Sequence, residues 1–264
     1  MDSPLVLAVA MAVFLVVFVK TEIGLYLVIF SMLLSPQFGA GGTIAESRRI
    51  VVRSEDILLL VVALSWLAKT AVNKELGLAV KTPLNRPILA YVAATAIATL
   101  IGYASGTVGG IGGFFYVLKY VEYFVVYYMV VNNLVDRRQA WRLVTAAFLT
   151  AVIVSLIGTT QIPSGQRVSA PFEGRDGEPN TFGGYLLLLM AVAGGIALET
   201  LRLRTRAIYL GLLGLMSIPF MFTLSRTSYI GMIPAAAVAG GAVEPASRDD
   251  RRAPAPCWLP RRSS

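Results

Sequence analysis

The sequence predicts an all-α fold: a polytopic helical membrane protein of about nine spans, with its N-terminus outside and its C-terminal tail cytoplasmic. Three observations predict it. Apolar runs approaching or exceeding the length needed to cross roughly 30 Å of hydrocarbon recur from end to end. Only 14% of the 264 residues are charged and 56% are hydrophobic, with a mean hydropathy of +0.70; a soluble domain carries about a quarter charged residues. Arginine and lysine fall on alternate loops, as the positive-inside rule requires.

The first run, PLVLAVAMAVFLVVFV at 4–19, follows Asp2 and precedes Lys20. A secretory signal peptide has the opposite charge order and a small-residue cleavage site, so this run reads as a retained span. A second run occupies 22–35 and is short enough to be re-entrant. Glu55 and Asp56 lead into the third, 57–72. The fourth and fifth, 87–104 and 114–131, flank the glycine-rich IGYASGTVGGIGG, where Gly102, Gly106 and Gly110 recur every fourth residue. That spacing lets helices approach closely. The sixth, seventh and eighth runs are 142–158, 182–199 and 206–223, and the ninth, 228–243, is again short. Helices satisfy their own backbone hydrogen bonds within each run, which is why unbroken apolar runs imply helices in lipid. Residues 1–243 therefore read as one transmembrane domain, and 244–264, rich in alanine, proline and arginine, as a disordered tail.

Orientation follows from the basic residues. With the N-terminus outside, the cytoplasmic segments hold Lys20, then Lys69, Lys74, Lys81 and Arg86, then Arg137, Arg138 and Arg142, then Arg202, Arg204 and Arg206. The tail adds Arg248, Arg251, Arg252, Arg261 and Arg262. The opposite face has Arg48, Arg49, Arg53, Arg167, Arg175 and Arg226, so the count is sixteen against six. The formal charge of +8 is thus membrane anchoring, and nucleic acid is not an expected partner. The segments 159–181 and 223–229 share the outer face.

Several chemistries are excluded by residue type. The chain has no histidine and a single cysteine, Cys257 in the tail. There is no zinc triad, no histidine base and no internal disulfide. No Walker A or dinucleotide fingerprint is present, so no cofactor and no metal are expected.

The polar residues that remain are few. FEGRDGEPNTFGGY, 172–185, surrounds Arg175 with Glu173, Asp176 and Glu178 just before the seventh run. Asn180 or Thr181 is placed to cap that helix, and Pro179 is tolerated at its start. The acids read either as a solvated ion cluster or as groups that orient Arg175. Arg226 lies between the apolar stretches FMFTL and TSYIGMIP. Two roles fit it: snorkelling to the interface, or a fixed guanidinium whose planar donor fork matches phosphate oxygens. On the fifth run Lys119 and Glu122, three apart, are expected to pair on one helix face. With tyrosines 116, 120, 123, 127 and 128 they form either a structural intramembrane pair or a polar lining for a sugar-bearing substrate.

Together GRDGEPNTFGGY, with Arg175, Gly177, Pro179, Asn180 and Gly183, and LSRTSY, with Ser225 and Arg226, resemble the O-antigen ligase and O-antigen polymerase superfamily. The resemblance covers most of 20–235. It implies a bacterial inner-membrane enzyme that transfers a glycan outside the cytoplasm. The donor would be an undecaprenyl-pyrophosphate-linked glycan and the acceptor another glycan or lipid A core, with polysaccharide-assembly proteins as further partners beside the membrane lipids. Such enzymes look like metal-independent inverting transferases. Arg175 and Arg226 are the implied catalytic cations on the leaving pyrophosphate. Glu173, Asp176, Glu178, Asn180 and Ser225 are the implied substrate-binding residues. Superfamily members continue into a large extracytoplasmic loop with an important histidine. This chain, without histidine, reads as a C-terminal truncation, in which donor binding is expected to outlast turnover.

Two rival classes fit the same composition. One is a transporter or flippase for a glycan or lipid-linked substrate, which also places a few charges among many helices. The other is a non-catalytic membrane fragment or scaffold. The one-sided, external polar emphasis favours surface chemistry over transport, and the fragment reading stays open.

Overall fold

The computed structural model describes residues 3–45, 48–73, 82–107, 112–172 and 177–241. Among these residues lie nine α-helices: α1 (Ser3–Val19), α2 (Thr21–Leu34), α3 (Ser54–Val72), α4 (Asn85–Ala104), α5 (Gly112–Asn133), α6 (Arg137–Gln161), α7 (Pro179–Glu199), α8 (Leu203–Phe222) and α9 (Arg226–Gly241). Five of them, α4 to α8, are long and apolar enough to cross a membrane, and α1 and α2 are shorter apolar helices. This is the build of a membrane protein. Many large apolar side chains face outward, including Leu89, Ile101, Leu188 and Ile230. Exposure on that scale is costly in water and costs nothing against lipid tails.

One element departs from the all-helical expectation. Strands β1 (Gln37–Ala45) and β2 (Arg48–Arg53) form an antiparallel hairpin, pairing Gln37 with Arg53 and Gly39 with Val51, with register shifts further out. The glycines of FGAGGT hide this strand from a propensity reading, because glycine weakens a strand and packs nothing.

The helices alternate in direction, as named contacts show. Ser65 Oγ donates to Phe14 O and Lys69 Nζ to Val19 O, so α1 and α3 run in parallel. Gly24 approaches Val17 and Val62 so closely that a Cβ there would lie 2.9 Å from each, which sets α2 between and against them. Tyr128 reaches Asn85 near one end of the α4–α5 pair and Tyr103 meets Phe114 at the other, so these two are antiparallel. The odd-numbered helices descend from what we call the upper end, and the even-numbered ones rise to it. Gly183, near the start of α7, faces Thr223 after α8 and Ser228 in α9, which fixes all three at the upper end.

Packing divides into two cores. Val17, Leu25, Val62, Trp66 and Met129 join α1, α2, α3 and α5. Phe148, Val154, Phe182, Leu186, Met216 and Phe220 join α6, α7 and α8. Leu33, near the upper end of α2, belongs to this second cluster together with Val168, so the two halves meet there.

Helix starts are set by polar caps lying outside the hydropathic runs. Asp136 Oδ1 accepts from Gln139 N at 2.6 Å, and Gln139 Oε1 accepts from Val135 N at 2.9 Å. This reciprocal capping starts α6 five residues before its apolar run. Pro179 opens α7 with its fixed φ.

Candidate functional site

The site is assembled where the α6–α7 connection meets the α8–α9 turn. After α6 the chain makes a short 3₁₀ turn, Ile162–Ser164, and Gly165 adopts a left-handed φ of 71°. The strand-like segment that follows is pinned by Val168 N donating to Phe222 O at 3.0 Å and Ser169 N donating to Gln161 Oε1 at 3.1 Å. Arg167 makes the main connection. Its Nε donates to Thr223 O at 2.9 Å, and its Nη2 to Leu224 O and Asn180 Oδ1, both at 3.2 Å. One guanidinium thus holds the start of α7 against the α8–α9 turn. Leu224 has φ 49°, a left-handed conformation that costs a non-glycine residue about 1–2 kcal/mol. The clamp on the carbonyls of 223 and 224 offsets that cost.

Beneath this clamp lies a neutral hydroxyl cluster. Thr223, Ser225 and Ser228 are buried. Ser225 Oγ accepts from Ser228 N at 3.3 Å and from Ser228 Oγ at 2.9 Å, which makes Ser225 the cap of α9. Gly183 is required here. A Cβ on it would stand 2.7 Å from Ser228 Oγ and 3.2 Å from Thr223 Oγ1.

The expected site residues distribute unevenly around this assembly. Asn180 and Arg226 are both exposed at the upper end. Asn180 is the second residue of α7 and accepts from Arg167. Arg226 opens α9 and makes no hydrogen bond or ion pair among the described residues. Glu178 holds the cap position of α7, and its carboxylate accepts from the Thr181 hydroxyl at 2.8 Å. This corrects the expectation that Asn180 or Thr181 caps the helix: proline fixes the first helical position at 179, which moves both into the first turn. Ser225, expected at the substrate, has its hydroxyl committed to the start of α9. Glu173, Arg175 and Asp176 lie outside the described residues. Arg167 was not singled out from the sequence. Its only signal there is its place among the six outer-face bases.

A second polar cluster occupies the same end, around α2, α3 and α5. Arg53 Nε lies 3.2 Å from Glu55 Oε1, Ser35 Oγ donates to Glu55 at 3.2 Å, and Asp56 accepts from Arg53 N at 2.9 Å. Lys119 Nζ reaches Asp56 Oδ2 at 3.1 Å. The described ion pair of Lys119 therefore runs between helices, to α3. Helical spacing makes the (i, i+3) pair available, but a carboxylate presented by a neighbouring helix competes for the same ammonium. Glu122 stays near enough for the charges of Asp56 and Lys119 to act on it. Glu55 precedes the third apolar run, and burial pushes its carboxyl up to about 7, with Arg53 opposing and Asp56 adding to the shift.

Among the described residues no group of three or more histidine, cysteine, aspartate or glutamate side chains is placed to hold a metal ion. The chain matches no family model, no curated protein and no solved structure.

Proposed function

We propose that this chain acts in glycosyl transfer on the outer face of a bacterial inner membrane, on a glycan carried by undecaprenyl pyrophosphate. In this reading all nine helices cross the membrane and the upper end is extracytoplasmic, as the sixteen-to-six bias of basic residues requires. The observation that carries the reading is Arg226. Its guanidinium is exposed and, among the described residues, has no hydrogen bond or ion pair, beside the α7 start that Arg167 holds in place. A fixed cation at the water–lipid boundary is what a lipid pyrophosphate needs.

The chemistry is a single displacement. An acceptor hydroxyl oxygen bonds to the anomeric carbon as the bond from that carbon to the pyrophosphate oxygen breaks. The electron pair leaves with the lipid pyrophosphate, and the hydroxyl proton passes to a carboxylate, for which Glu173, Asp176 and Glu178 are the candidates. Arg226, with Arg175, offsets the negative charge that grows on the leaving group.

Binding of a polyprenyl-pyrophosphate glycan to the purified protein in nanodiscs tests this. Arg226→Ala and Arg175→Ala are expected to weaken binding, and lysine at either position to restore part of it, since it keeps the charge without the fork. Equal binding by wild type and both alanine variants would remove the arginines from the site.

A second reading, a transporter or flippase for a glycan or lipid-linked substrate, draws on the Asp56–Lys119 ion pair. Ionisable groups inside an apolar bundle often mark a transport path. Flipping of a labelled polyprenyl-pyrophosphate glycan in liposomes, lost in Asp56→Asn, would favour it.

A further inference from the structure

At the lower end, opposite the site described above, α6, α7 and α8 open a cleft of about 710 Å³. Its lining includes Trp141 from α6, Glu199 from the end of α7, and Arg202, Thr205 and Tyr209 from the start of α8. The shape has a local cause. Gly195 contributes no side chain to the α7 wall and has nothing within 4 Å of where a Cβ would stand. Tyr209 is held edge-on against Phe148, with centroids 5.5 Å apart, so its ring is a fixed part of the wall.

Two exposed side chains of opposite charge line this cleft. Glu199 and Arg202 are three residues apart and line the same space, yet they form no ion pair among the described residues, and no side-chain hydrogen bond is described for either. At the same end Glu22 and Arg142 do pair, at 2.9 Å, so the lower end does not prevent neutralisation. An acid and a base kept apart in one cleft present complementary points to a ligand that itself carries both charges. Trp141 and Tyr209 add rings of the kind that settle at a membrane–water interface. Further up α8, level with Tyr209, the exposed Ile208 and Leu210 continue an apolar surface.

We infer that this cleft binds the headgroup of a zwitterionic aminophospholipid, phosphatidylethanolamine. Arg202 and the Thr205 hydroxyl take the phosphate, Glu199 takes the ammonium, and the acyl chains lie along α8. The choice of a primary amine follows from Glu199. An ammonium with N–H bonds donates charge-assisted hydrogen bonds to a carboxylate, and a quaternary choline has none to donate. A purely anionic headgroup would leave Glu199 facing negative charge. The inference rests on the membrane placement of the helices and is independent of the glycan site.

Trp141 supplies the test. In a full-length Trp66→Phe/Trp258→Phe background it is the sole tryptophan, and its fluorescence is quenched by a brominated lipid bound beside it. In phosphatidylcholine bilayers doped with brominated phosphatidylethanolamine, phosphatidylcholine or phosphatidylglycerol, the ethanolamine lipid is expected to associate about five-fold more strongly than the choline lipid, from hydrogen bonding to a charged group. Glu199→Gln should bring that ratio to parity while leaving quenching intact. Arg202→Gln should weaken association of every phospholipid. Equal association of the ethanolamine and choline lipids in the unaltered cleft, or preference for the glycerol lipid, overturns the inference. Absence of quenching by any brominated lipid also overturns it, by showing that the lower end lies outside the bilayer. Native mass spectrometry offers a measurement free of the tryptophan changes, by comparing the ethanolamine lipid retained through purification in wild type and in Glu199→Gln. Greater retention by wild type is expected, and equal retention overturns the inference.

Discussion

Two clusters at the upper end use arginine in opposite ways. Around α2, α3 and α5, Arg53 meets Glu55 and Lys119 meets Asp56, so each positive charge is answered by a carboxylate inside the bundle. At the α6–α9 junction, Arg167 commits its donors to two backbone carbonyls and one amide oxygen, and no carboxylate lies within ion-pair distance of it or of Arg226 among the described residues. Carbonyls satisfy hydrogen bonds without cancelling charge. Among the described residues, the first cluster therefore pairs its cations with carboxylates, and the second holds Arg167 by oxygens that carry no formal charge. In the proposed function, the second cluster is the one that draws the anionic donor.

The comparison breaks most severely at Lys119. Lys119→Met leaves Asp56 without its ammonium in a mostly buried setting and is expected to cost about 3 kcal/mol, read as a lower midpoint of thermal unfolding in detergent. Lys119→Met/Asp56→Asn should recover much of that loss, and Lys119→Met/Glu122→Gln should recover less. The reverse order would return the pairing to α5 alone. Arg167→Ala is the corresponding test of the other cluster and should cost about 2 kcal/mol, the scale of hydrogen bonds from a charged donor. Arg167→Lys should recover only part, because one ammonium does not reproduce the fork. Protease cleavage within 162–172 should rise in step with the loss. An unchanged midpoint in Arg167→Ala would show that the clamp does not hold the junction.

The smallest effect sharpens the charged cluster through pH. Glu55 has its folded-state value raised from 4.5 to about 7, so the folded protein retains a proton that the unfolded chain releases. The cost of burying this carboxylate is absent below pH 4.5 and fully felt above about 7, and stability falls between them as pH rises. Glu55→Gln should flatten that part of the profile. A wild-type profile that rises with pH across this window, relative to the variant, would contradict the assignment.

Much of the helical layout was legible in the sequence, because hydropathy marks the apolar part of each helix. The misplacements have a common cause. α6 begins at Arg137 and not at 142, and α7 at Pro179 and not at 182. In each case the first turn is polar and is helical because of a cap or a proline, signals that hydropathy omits. The hairpin of residues 37–53 was not legible, since its glycines carry no strand pattern. At the site, the shared end of Asn180, Ser225 and Arg226 followed from alternation along the chain. The roles of Arg167 and Ser225 did not. Whether an arginine meets a carbonyl or a carboxylate, and whether a serine faces substrate or its own helix, depends on closure between segments distant in sequence.

The Arg167 clamp also has a consequence in time. Its partner carbonyl at Thr223 lies 56 residues further along the chain. At a synthesis rate of roughly 5–20 residues per second, on the order of 3–11 seconds separate the appearance of the arginine from that of its acceptor. Throughout that interval the guanidinium can meet Asn180, 13 residues further on, but neither carbonyl of the α8–α9 turn. The junction therefore closes only after α8 and its turn have emerged. Completion of this hydrogen-bond set marks the moment at which the C-terminal helices have been delivered to their places.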